Sequence, residues 1–123
     1  MEKNYRYLDV EKAEDIFHVH LKQTRLEETE IEALGNELIS LVTVDGCRKL
    51  IFDLGNNSPS VLFSLFLAKL VLVHRKLLEA NGAMRLCAVK PHIMEVFQAC
   101  RLENYFEFAP DRESALAELN AGA

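Results

Sequence analysis

Serines, histidines and cysteines are the residues of this chain whose types and spacing could do chemistry. Ser58, Ser60 and Ser64 follow the strand-like run KLIFDL and stand at or near the start of a long apolar helix. A hydroxyl there suits two tasks. It can cap a helix, or it can carry a phosphate held by free amides at a helix N-terminus. His18 and His20 stand two apart in IFHVHL, which puts both on one side of a strand. His74 and His92 are distant in sequence, and no cysteine or carboxylate completes a metal-ligand spacing, so no metal is expected. Cys87 lies in an apolar strand, where a thiol is inert. Cys47 follows a turn with nothing basic clearly aimed at it, and Cys100 forms no C-x-x-C pair with either. Ser64 has no evident histidine base. Glu27, Glu28, Glu30 and Glu32 crowd a helix start, where they suit the dipole and form no acid/base pair. Gly55 stands alone, so a glycine-rich phosphate loop is lacking. These patterns favour contact or modification over catalysis. No enzyme activity and no cofactor are expected.

Composition sets the frame for these residues. The chain has 123 residues, half of them apolar, enough for one core without disulfide or metal support. We expect a single domain over 1–123, with its core at about 7–119. The formal charge of -5 includes no basic block, so nucleic acid is not an expected partner. The most apolar run, Val61 to Val73, is thirteen residues long and contains Ser64 and Lys69. A membrane span needs roughly 20 predominantly apolar residues, so a buried or partner-facing helix is expected. An odd cysteine count behind a polar, charged N-terminus fits a reducing, cytoplasmic setting.

The elements that must position these residues follow from periodicity. Tyr5 to Val10 reads as an edge strand or lead-in, Glu11 to Asp15 as a hairpin turn, and Ile16 to Leu21 as a strand. From Glu28 to Val42, apolar Ile31, Leu34, Leu38, Leu41 and Val42 share one helical face. Lys49 to Leu54 reads as a central strand. Pro59 fits the first position of the long helix, with Ser58 as its cap. That helix runs to about Ala80 and ends at Asn81-Gly82, two residues that tolerate a left-handed backbone. Ala83 to Val89 is a buried strand, Pro91 to Cys100 a short helix, Tyr105 to Phe108 a last strand, and Asp111 to Leu119 a terminal helix. The order β-β-α-β-α-β-α-β-α predicts an α/β fold with a small, mostly parallel sheet.

At 100° per residue, Phe63, Leu67, Leu70, Val71, His74 and Leu78 form the face of the long helix expected on the sheet. Leu62, Leu65, Leu72, Lys69 and Lys76 point the other way, with Phe66 and Val73 on the flank. A helix apolar nearly all round needs a second cover. A partner, a second copy, or the chain's own N-terminal segment could each supply it.

The ordered set of segments resembles a STAS domain, the fold of anti-sigma factor antagonists and related stressosome proteins. ELISLV, KLIFDL, the stretch LAKLVLVHRKLLEANGAMRLCAVKPHIMEVFQACRLENYFEF and DRESALAEL match that family's helix, central strand, helix-strand-helix-strand run and last helix in order. In such domains the loop after the central strand reads Asp-Ser-Ser/Thr-Gly-Leu-Gly, and a kinase that is itself the anti-sigma factor phosphorylates the first serine. Counted back from His74-Arg75, Ser64 takes that serine's place. Phe63 then stands for the acidic residue, Leu65 for the second hydroxyl, and Phe66 and Ala68 for the glycines. Counted forward from Asp53, the segment is longer than usual, which keeps Ser58 and Ser60 as rival acceptors. The resemblance implies a non-enzymatic interaction domain that binds a kinase-type anti-sigma factor. Its contact residues would be Asn56, Asn57, Leu62, Leu65, Phe66 and Lys69. The altered motif leaves a second reading: a STAS-like scaffold or dimerisation module without the switch.

Overall fold

The structure, a computed structural model, describes residues 5–55 and 63–122. Five strands form one sheet in the order β1-β2-β3-β4-β5. They are β1 (Leu8–Ala13), β2 (Ile16–Leu21), β3 (Lys49–Asp53), β4 (Ala83–Cys87) and β5 (Phe108–Ala109). β1 and β2 are antiparallel, and every later pairing is parallel. Among the described residues there are four helices: α1 (Glu28–Thr43), α2 (Phe63–Glu79), α3 (Pro91–Ala99) and α4 (Arg112–Gly122). The expected α/β order and mostly parallel sheet, those of a STAS-like fold, are what the backbone adopts.

Alternation along the strands divides the core in two. Phe17, Val19, Leu21, Leu50, Phe52, Met84 and Leu86 face the cluster shared with α1, α2 and α3. Ile16, Ile51, Cys87 and Ala109 face the other way, under Ala115 and Leu119 of α4. At the start of α1, the Glu27 backbone N–H donates to Glu30 Oε1 at 2.9 Å, a reciprocal cap that uses the acidic cluster seen in the sequence.

Two strand assignments need correction. The first strand is Leu8–Ala13, not Tyr5 to Val10, and the turn shrinks to Glu14 and Asp15, with Glu14 at φ 59°. The charges that suggested a turn are accommodated because β1 is an edge. Asp9 and Glu11 lie opposite His20 and His18 on one face, and Lys12 sits over the Phe17 ring at 5.4 Å on the other. The last strand is Phe108–Ala109, not Tyr105 to Phe108. The amides of Tyr105 and Phe106 both bond back to the Leu102 carbonyl, which keeps them in a turn. Their rings pack on His74 instead, at 4.9 and 5.3 Å between centroids.

The turn from α2 into β4 depends on two residues for different reasons. Asn81 takes the left-handed backbone at φ 63°. Gly82 is needed for space, because any Cβ there would run into the carbonyl of Arg48. That carbonyl accepts from Ala83 N at 2.8 Å as the β3–β4 pairing begins. Gly82→Ala should therefore cost about 1–3 kcal/mol by forcing the two backbones apart. Urea unfolding reads this directly, and an unchanged midpoint would contradict the close approach.

Candidate partner-binding surface

The site is built at the C-terminal end of β3. Asp53 Oδ1 accepts from the Gly55 amide at 2.7 Å, and Leu54 N donates to the Cys87 carbonyl at 3.1 Å. Gly55 passes through a narrow place: a Cβ there would lie 2.8 Å from Ala88 Cβ and 3.0 Å from Asp53 Oδ1. The backbone at Gly55 is thus held by one carboxylate and one missing side chain. Sequence reading took Gly55 only as a lone glycine. Asn56, Asn57, Ser58, Pro59, Ser60 and Leu62 lie outside the described residues, and so do the cap and contact roles expected of them.

Beyond the loop, α2 opens at Phe63 with no acidic residue in its first turn. Ser64 is exposed there, and Ala68, one turn on, is exposed too. An exposed hydroxyl in the first turn lies near the positive end of the helix dipole. Leu65 is half-buried. Phe66 is not part of this surface. It is fully buried and meets Phe52 edge-on, with centroids 5.9 Å apart and rings at 86°. Lys69 is also committed within the fold. Its stem lies over Gly35 of α1 and its ammonium pairs with Glu32, leaving the side chain 16% exposed.

These contacts revise the expected face of α2. Its buried stripe is Phe66, Leu70, Val73 and Leu77, flanked by Leu67 and His74, while Leu78 is 52% exposed. The stripe is turned because α2 packs against α1 as well as against β4. Gly35 permits that approach: a Cβ there would meet the Lys69 stem at 2.6 Å. Part of the second cover is therefore intramolecular and comes from α1. Leu65, Val71 and Leu72 remain half-buried.

Two of the cysteines and two of the histidines are tied to structure. Burial pushes the Cys47 and Cys87 thiols up to about 12, so neither forms thiolate near neutral pH. His20 Nε2 lies 2.9 Å from Asp9, and His18 Nδ1 accepts from Arg112 Nε at 2.8 Å. Among the described residues no group of three or more His, Cys, Asp or Glu is arranged to hold a metal ion. Among them, too, no helix is long and apolar enough to cross a membrane.

Comparison with known proteins gives this surface its context. No family model matches the chain. BtrV of Bordetella bronchiseptica, named for anti-sigma factor antagonism, is 35% identical over 86 residues, covering 70% of this chain and 72% of BtrV. An anti-sigma-factor antagonist (STAS) domain protein of Planctomyces limnophilus superposes with a TM-score of 0.76 at 23% identity, over 91% of this chain and 96% of that one. SpoIIAA of Bacillus in its phosphorylated form superposes with a TM-score of 0.62 at 18% identity, over 90% and 97%. The structural matches carry the fold and the BtrV match carries the kinship: the chain belongs to the anti-sigma factor antagonist family, non-enzymatic regulatory domains built on the STAS fold.

Proposed function

We propose that this chain is a phospho-switched antagonist that docks on a kinase-type anti-sigma factor through the 56–62 loop and the first turn of α2. The observation that supports this reading is the exposed Ser64 in that first turn, the residue that the count back from His74-Arg75 sets against the family's phosphorylated serine. Ser58 and Ser60 are the alternative acceptors. Asn56, Asn57 and Leu62, with the half-buried Leu65, are the proposed contact residues. Lys69 would contribute through its pairing with Glu32 and not as a free cation. The partner supplies nucleotide and metal, and this chain supplies the hydroxyl. A phosphate adds about -1.5 to -2 charge, which opposes docking of a partly apolar surface. The domain would work in the cytoplasm, as a single unit over 1–123.

The test is recovery of the chain from its native cell extract with and without ATP, followed by phosphopeptide mass spectrometry. A co-purifying kinase-like protein and ATP-dependent phosphate on Ser64, Ser58 or Ser60 support the switch. Absence of phosphate at all three, with self-association or a non-kinase partner retained, supports a scaffold or dimerisation module instead. One observation favours that second reading. Phe66, which the count back from His74 sets against the motif's first glycine, is a core aromatic. In that count a bulky core residue takes the place of a glycine, which favours a module without the usual switch.

A further inference from the structure

α4 is held to the sheet by a small apolar contact and a polar clamp at each end. It offers Ala115, Leu119 and the partly buried Leu116 to Ile16, Ile51, Cys87 and Ala109. Toward its C-terminus, Glu118 accepts from Arg85 Nε of β4 at 2.8 Å. In its first turn, Arg112 reaches across two strands. Its Nε donates to His18 Nδ1 on β2 at 2.8 Å, and its Nη2 donates to Glu11 on β1 at 2.8 Å. A guanidinium has donors and no acceptor, so His18 Nδ1 must present its lone pair and the ring must be neutral. An imidazolium would set N–H against N–H and positive charge against positive charge.

We propose that Arg112, His18 and Glu11 form an acid-released latch: neutral His18 holds the first turn of α4 on the sheet, and protonated His18 lets it go. The charged groups around the ring are Asp9 and Glu11 of β1, His20 on its own strand, Lys49 and Asp53 of β3, Asp111 just before α4, and Arg112 of α4. Asp9 pairs with His20, Lys49 with Asp15, Asp53 with the Gly55 amide and Asp111 with the Ser114 amide. Arg112 and Glu11 remain as the groups that act on His18. Burial first, then Arg112, push the imidazole below its ordinary value, and Glu11 opposes them weakly. The sign follows. With α4 detached, His18 takes up a proton below its ordinary pKa of 6.5, while the latched form does not. Attachment is therefore full above that pH, weakens as pH falls through it, and levels off below the latched value. Opening uncovers the apolar sheet face and leaves the α1–α2 side in place.

Hydrogen exchange read by mass spectrometry at pH 7.5 and 5.5, corrected for intrinsic rates, tests this on the whole chain. Amides 116–120 should exchange up to about tenfold faster at pH 5.5, while α1 changes less. His18→Gln, whose amide oxygen can still accept from Arg112, should lose the pH response. Arg112→Ala should exchange fast at both pH values. Unchanged α4 protection between the two pH values overturns the proposal, and so does the full pH response persisting in Arg112→Ala. That second variant keeps the test decisive if His18→Gln does not fold.

Discussion

Phe66→Ala should lower unfolding stability by about 3–5 kcal/mol, the range for deleting a buried aromatic ring. The side chain is fully buried and its edge-on contact with Phe52 joins α2 to the central strand. Removing it leaves a cavity between a helix and a sheet that are each fixed by other contacts, so collapse into the space is limited. In a chain of 123 residues this should move the melting midpoint by roughly 10 °C or more. Phe66→Leu keeps most of the volume and should cost less. Calorimetric melting of the two variants beside the parent distinguishes this role from direct partner contact. A residue that served only as a contact would leave the midpoint where it is, and that result would sink the core placement.

The role of Phe66 shows where sequence reading was sound and where it stopped. The alternation of strand and helix patterns was readable because each element keeps one apolar periodicity over many residues. β3, for example, begins at Lys49 as expected and ends one residue early. β1 was misplaced because an edge strand in a mixed sheet can carry charges on a face that a histidine pair and a distant arginine then satisfy. The inward face of α2 was misjudged for a related reason. Helical periodicity identifies an apolar arc, but the neighbouring helix decides which part of it is covered. α2 packs on α1 as well as on the sheet, with the Lys69 stem over Gly35, and Phe66 and Val73 are core while Leu78 is exposed. The loop after β3 was legible as a loop, and Ser64 as a residue near a helix start. The two devices that hold the chain at Gly55 are not. Asp53 and Gly55 act through a 2.7 Å bond and a close approach to Ala88, a residue more than thirty positions away. His18 and Arg112 are 94 residues apart, and no local pattern joins them.

Ser64→Glu should give the opposite signature to Phe66→Ala: normal stability and weakened docking. The hydroxyl is exposed in the first turn of α2, so substitution there is expected to change stability by no more than about 0.5 kcal/mol. The sign should be neutral or favourable, since the positive end of the helix dipole stabilises a carboxylate at a helix N-terminus. Docking is different. Against a partner, the carboxylate would be taken out of water beside the half-buried Leu65, with no cation supplied by this chain's first turn. Burying even a neutral unpaired polar group costs about 1–3 kcal/mol in mutational data, and a charge costs more, so affinity should fall by at least roughly 5- to 150-fold. Ser64→Ala should keep the affinity and lose the phosphate. Isothermal titration with the recovered partner, alongside melting of each variant, separates the possibilities. If Ser64→Glu binds as tightly as the parent while Ser58→Glu or Ser60→Glu does not, the acceptor lies in the loop and the count from His74 is displaced. If none of the three changes affinity, charge at this surface does not control docking, and the assembly role without a switch is the one that remains.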